Sequence, residues 1–155
     1  MSAKVDAIKL FAQAGYDRLG RATKDLKKDH LDWKSVEQAN SIRWILSHMS
    51  QEANVLVPRI VKGDTSYTPA GWPADYINNP THSVESLLAD IEKGKTGFLA
   101  SLDTLKDSDL DVDIDFYGGK RKRGAVLVNM VSEVIHHEGQ ISAILGLMKR
   151  MEQKK

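Results

Sequence analysis

The chain has 155 residues, 41% of them hydrophobic and 28% charged, a size and balance that predict one soluble domain with a core large enough to fold without staples. Its 22 Lys and Arg are matched by 21 Asp and Glu, so no global field draws in nucleic acid or an anionic membrane, and neither is expected as a partner. No cysteine occurs, which excludes disulfides, cysteine nucleophiles and thiolate ligands; any metal must be held by His, Asp or Glu.

In chain order, Met1 to Gly15 is interrupted by Lys4, Asp6 and Lys9 and lacks the apolar run of a signal peptide or spanning helix, so a cytoplasmic location is expected. Val5, Ile8, Phe11, Ala12, Gly15, Tyr16 and Leu19 recur every three or four residues and predict a helix over residues 3–25. A second helix is expected from Ser35 through Ile42, Ile45, His48, Met49, Glu52 and Leu56 towards Ile60, with Pro58 bending or ending it. His48 then falls on or beside the apolar stripe.

From Lys62 to Pro73 the chain is rich in turn formers, and Asn78-Asn79-Pro80 continues the loop. A connection of about twenty residues is long for a compact domain and makes a candidate lid or pocket wall. The third helix starts at the N-cap Ser83 and carries Val84, Leu87, Leu88, Ile91, Phe98, Leu102 and Leu105; Gly94 and Gly97 weaken it where close packing would need them. Asp111 to Tyr117 alternates charge and bulk before Gly118-Gly119, a small hairpin or an extended loop, and the basic run from Lys120 to Arg123 reads as a solvated turn. The fourth helix carries Val126, Met130, Glu133, Val134, His137, Ile141, Ile144, Leu145 and Met148 on one face. The expected fold is all-α, a four-helix bundle over residues 1–155 with at least one crossover at the long loop.

Glu133 and His137 are four residues apart and lie one turn above each other, so a carboxylate oxygen and an imidazole nitrogen can converge on one point. With His48 from a facing helix they make a His, Glu, His set, a combination that catalytic zinc sites use while keeping a further position open. An ionised carboxylate on an apolar face costs several kcal/mol unless paired, hydrogen-bonded or metal-bound, which favours a partner for Glu133. Spacing alone is weak evidence, and a lone His48 on such a face is more often a hydrogen-bonded core histidine. Glu52, one turn beyond His48, is placed to orient that imidazole or is a partly exposed helix acid. His136 points about 100° away from His137, towards packing or a supporting role. His82 and the aromatics Trp72 and Tyr67 are pocket candidates on the long loop; a surface His and aromatic loop anchors are the plainer accounts.

Trp33, the run Asn40-Ser41-Ile42-Arg43-Trp44-Ile45-Leu46-Ser47-His48-Met49, and Glu133-Val134-Ile135-His136-His137-Glu138-Gly139-Gln140-Ile141 together resemble the DinB-like superfamily, which includes S-transferases that use bacillithiol or mycothiol. The resemblance implies a bundle holding a divalent metal on His48, position 133 and His137. Position 133 is Glu where many members have His, as in the His, Glu, His set of the similar mycothiol-dependent maleylpyruvate isomerases; Glu138 stands where Arg is common. It further implies zinc, or nickel, iron or manganese, a low-molecular-weight thiol as co-substrate, a small-molecule substrate and a homodimer. The expected activity is that of a metal-dependent, thiol-using S-transferase or isomerase. The alternatives are a metal-dependent hydrolase and a non-catalytic, stress-associated metal-binding dimer.

Overall fold

The computed structural model describes residues 2–153, and the chain is mostly helical, with one small antiparallel hairpin. Its helices are α1 (Ala3–Thr23), α2 (Ile42–Gln51), α3 (Val57–Lys62), α4 (Val84–Leu102) and α5 (Arg123–Glu152); the hairpin is β1 (Asp113–Phe116) and β2 (Gly119–Lys122). A π turn over Glu52–Leu56 joins α2 to α3, so the two run on as one rod.

On α1 the residues Val5, Ile8, Ala12, Gly15, Tyr16 and Leu19 are buried as their spacing predicts. Phe11 is not: at 100° per residue it falls about 90° from the middle of that stripe, and it is 39% exposed. The second rod begins at Ile42, later than Ser35, because Ser41 is extended and its side chain caps the backbone N–H of Trp44; residues 35–40 form turns instead. Pro58 does not end it. The π turn has already shifted the ladder, with the Val57 N–H bonding to the Glu52 carbonyl, and Pro58 enters at the start of α3, where a missing N–H is tolerated. The rod stops one turn later at Gly63, whose φ of 68° favours glycine.

Ser83 caps α4 and exchanges hydrogen bonds with Ser86. Gly94 has the packing role expected of it, since a Cβ there would lie 2.5 Å from the Ala53 Cβ; Gly97 has open space around it and no such role. The segment before α5 is the hairpin, turning through Tyr117 and Gly118, both at positive φ. Lys120, Arg121 and Lys122 of the basic run are therefore strand rather than turn, with Lys120 paired to Asp115 and Lys122 to Asp113 across the ladder, and Arg123 opens α5.

The helices form a bundle whose order around the axis is α1, α5, α2, α4. Gly15 meets Val131 and Ile135 while Arg18 reaches Glu138, so α1 and α5 run parallel. Lys9 pairs with Asp103 and Asp17 with Lys95, so α1 and α4 run antiparallel. α2 runs alongside α4, with Arg43 bonded to the His82 carbonyl ahead of α4 and Ala53 against Gly94. Parallel neighbours cannot be joined by a short turn, and residues 63–83 run back along the bundle as the crossover. Phe98, Leu46, Leu87, Leu102, Leu127 and Ile141 are sealed in the core.

Candidate metal centre

The centre lies between α2 and α5. His48 and Glu52 stand one helical turn apart on the α5 side of the second rod, His48 Nε2 being 3.4 Å from Glu52 Oε1. Across from them, His137 Nε2 lies 3.7 Å from Glu133 Oε2, again one turn apart. The two imidazoles meet edge to face with centroids 5.1 Å apart, and Trp44 stacks on the open face of His48 at 4.8 Å. Donor atoms from His48, Glu52 and His137 all lie within 4.8 Å of one another. Glu52 thus sits in the compact group, while Glu133 stands at its edge against His137. The side chains of His137 and Glu52 are 7% and 12% exposed and those of His48 and Glu133 are 27% and 35%, so the centre is closed on the bundle side and open to solvent on the other.

Glu52 opens the π turn, a feature that recurs at functional sites because the extra backbone residue re-aims the side chains around it. Residues on the other side of the same rod face α4: Asn54 Nδ2 donates to the Ser50 and Asp90 carbonyls, and the Tyr76 hydroxyl bridges Ser50 and Asp90. The long loop is tied to that side. Tyr76 is packed between Trp72 and His82, and the His82 ring bonds the Tyr76 carbonyl. Trp72 and His82 therefore anchor the crossover, away from the cluster. Tyr67 lies under the Lys62 ammonium, and its carbonyl accepts from Arg59.

The field at the centre calls for a cation. Burial, with the Glu133 charge added, pushes the Glu52 carboxyl up to about 7. Burial and the neighbouring His137 hold His48 below its ordinary 6.5, with Glu133 pulling the other way, so its neutral, ligating form is favoured. Tyr16, from α1, is pushed up by burial and by the negative fields of Glu52 and Glu92. Two carboxyl groups and two imidazoles brought together at a half-buried point offer several lone pairs to one position, and their mixed nitrogen and oxygen donors fit a divalent transition metal.

His137 is held from behind: its Nδ1 lies 2.9 Å from Gln140 Oε1, and Gln140 Nε2 lies 3.0 Å from His136 Nε2. His136 itself is exposed and outside the cluster. Glu138, in the place where the resemblance leads one to expect Arg, accepts from Arg18 on α1 and from the Ser142 hydroxyl. Burial raises its carboxyl, but these bonds and the Arg18 and Arg21 charges outweigh it and leave the group below its ordinary value. The sequence placed Tyr16 in the apolar stripe of α1 and Trp44 and Gln140 within the family-like segments, but gave none of the three a role at the centre. The placement of Trp44 one turn before His48 was a readable signal; Tyr16 reaches the field of Glu52 only through the packing of α1.

Among the described residues, no helix is long and apolar enough to cross a membrane. Neither a curated protein nor a solved structure matched the chain. The family model of the DinB superfamily, a metal-associated group, matches residues 12–141, a span that contains all four residues of the centre. The match covers well over half of the sequence and agrees with the helical bundle and its His, Glu, His group, and the chain belongs to the DinB superfamily.

Proposed function

We propose that this protein is a metal-dependent enzyme that uses a low-molecular-weight thiol to transfer a group to, or rearrange, a small electrophilic substrate. The observation that carries this reading is the convergence of donor atoms from His48, Glu52 and His137 within 4.8 Å, with the Glu133 carboxylate 3.7 Å from His137 Nε2. The proposed ligands are His48, Glu133 and His137, the set the family pattern implies, with Glu52 as a further, inner carboxylate. When bound, a divalent ion supplies Lewis acidity that favours the thiolate form of a small thiol or activates water. The chain's own residues supply the rest. Trp44 covers one face of His48 and keeps its ring in place, Glu52 offsets the ion's charge from the closed side, and Glu133 faces the solvent side from which substrate arrives. Zinc suits two imidazoles and carboxylate; nickel, iron(II) and manganese are the other candidates. A single-domain homodimer is proposed with it, supported by the family resemblance and by the exposed Leu10 and Phe11 of α1 and Val128 of α5.

A second reading is favoured by one feature, the presence of four donor side chains rather than three. Four protein ligands close a tetrahedral site, which is the arrangement of structural metal centres. The bundle would then bind its metal without turning over a substrate.

Elemental analysis of untagged wild type, His48→Ala and His137→Ala tests the shared premise: about one equivalent of transition metal is expected in the wild type and none in the variants. Cobalt(II)-substituted protein separates the two readings. A visible-band shift on adding small thiols, with metal-dependent turnover of a thiol and electrophile panel, supports the enzyme. Spectra unmoved by any thiol, with no turnover of thiol substrates or esters, support the closed site.

A further inference from the structure

The chain of three side chains behind His137 is the strongest arrangement left unused. A carboxamide oxygen can only accept, so the ring atom 2.9 Å from Gln140 Oε1, His137 Nδ1, carries the hydrogen. His137 Nε2 then has a free lone pair, and Nε2 is the atom that faces Glu133 and the centre. A carboxamide nitrogen can only donate, so His136 Nε2, 3.0 Å from Gln140 Nε2, is the acceptor and His136 holds its own hydrogen on Nδ1. Turning the amide over would place its NH2 against His137 Nδ1, move the imidazole hydrogen to Nε2 and present the centre with an N–H in place of a lone pair. The turned amide would set its oxygen against His136 Nε2, so His136 would have to move its own hydrogen from Nδ1 to Nε2 and both rings would change tautomer together.

We propose that Gln140 is a positioning residue which locks His137 in the Nδ1–H form, with His136 locking Gln140 in turn. That this serves metal binding rests on the reading of His137 as a ligand; the lock itself is a statement about a proton on a named atom. All three residues lie within little more than one turn of α5, so the lock is local, and with His136 exposed and Gln140 only partly buried, substitutions there leave the core untouched.

The experiment is nitrogen-15 NMR of the histidine rings in the chelator-treated full chain, paired with zinc competition against a chromophoric chelator. The proteins are wild type, Gln140→Leu, Gln140→Glu and His136→Ala. The wild type is expected to show His137 protonated on Nδ1 alone. Gln140→Leu loses that preference, binds zinc about 10- to 100-fold more weakly, and melts at the wild-type temperature. Gln140→Glu keeps an acceptor oxygen and restores both the Nδ1–H signal and near-wild-type affinity, which a loss of packing would not do. His136→Ala falls between wild type and Gln140→Leu. A wild-type His137 protonated on Nε2, or a Gln140→Leu protein with an unchanged tautomer, overturns the proposal. Should the wild type bind no zinc, the metal reading fails by itself, and the ring tautomers still decide for or against the lock.

Discussion

The guanidinium of Arg18 on α1 lies 2.8 Å from the carboxylate of Glu138 on α5, 120 residues later, and ties two parallel helices together one residue beyond His137. The Glu138 side chain is only 9% exposed, whereas Arg18 reaches it from the solvent side. Arg18→Ala leaves a mostly buried carboxylate with Ser142 as its remaining donor and is expected to cost about 1–2 kcal/mol in urea titration. Glu138→Arg, the residue common in the family, sets a cation beside Arg18 and Arg21 and is expected to cost more. The exchange Arg18→Glu with Glu138→Arg recovers most of the loss; if the double variant is no better than Glu138→Arg, the pair is not what couples the helices.

The raised carboxyl of Glu52 makes the metal-free protein pH-sensitive. In the unfolded chain this group titrates at its ordinary value of 4.5, and in the folded chain at about 7, so between those values the folded state binds the extra proton. Stability contributed by Glu52 is therefore present below pH 4.5 and is lost as pH rises through 7, by about 3 kcal/mol at most. His48, depressed by burial and by His137, acts in the opposite sense and destabilises as pH falls below 6.5. Thermal melts in chelator from pH 5 to 8 should show Glu52→Gln gaining on the wild type as pH rises. A difference between the two that stays constant across the range would mean that Glu52 is not raised.

Two glycines on one helix should respond in opposite directions to the same change. Gly94→Ala drives a methyl to 2.5 Å from the Ala53 Cβ and 2.9 Å from Asn54 Nδ2, and is expected to cost about 1–3 kcal/mol by urea titration. Gly97→Ala meets nothing within 4 Å and is expected to stabilise by up to about 1 kcal/mol. Because Ala53 lies in the π turn beside Glu52, Gly94→Ala should also weaken metal binding, whereas Gly97→Ala should leave it alone.

Arg43 is a buried clamp on two connections. Its Nε and Nη2 hold both oxygens of Asp32, at 2.6 and 2.7 Å, and its Nη1 bonds the His82 carbonyl. The hydrogen bonds from Arg43 hold the Asp32 carboxyl below its ordinary value, more than offsetting the effect of burial. Asp32→Ala leaves the guanidinium with the His82 carbonyl and, because the Asp32 side chain is 65% exposed, with water in place of the carboxylate, so it is expected to cost about 1 kcal/mol. Arg43→Met removes the guanidinium, leaves the mostly exposed Asp32 to water, and frees the end of the crossover. Limited proteolysis within residues 64–82 should then be faster in Arg43→Met than in the wild type, and equal rates would rule out the clamp.

The sequence by itself carried the helices and the side chains that could ligate a metal. Apolar spacing near 3.6 placed α1, α4 and α5, because burying one stripe is what stabilises an amphipathic helix, and Ser83 marked a start through its own cap. The pairs four residues apart, His48 with Glu52 and Glu133 with His137, were legible for the same local reason. The start of α2 at Ser41 was legible too, as a cap directly before an apolar run, but the weaker spacing upstream masked it. The π turn was not: Ala53 and Asn54 within it meet Gly94 and the Asp90 carbonyl of another helix, contacts that no spacing along the second rod records. Only the tertiary structure decided that Glu52 joins the compact group while Glu133 stands at its edge, that Trp72 and His82 serve the crossover, and that Arg18 answers Glu138. Each of these depends on distances between residues far apart in the chain, fixed by helix order and direction in the bundle, and a periodicity within one helix holds no information about which face of another it will meet.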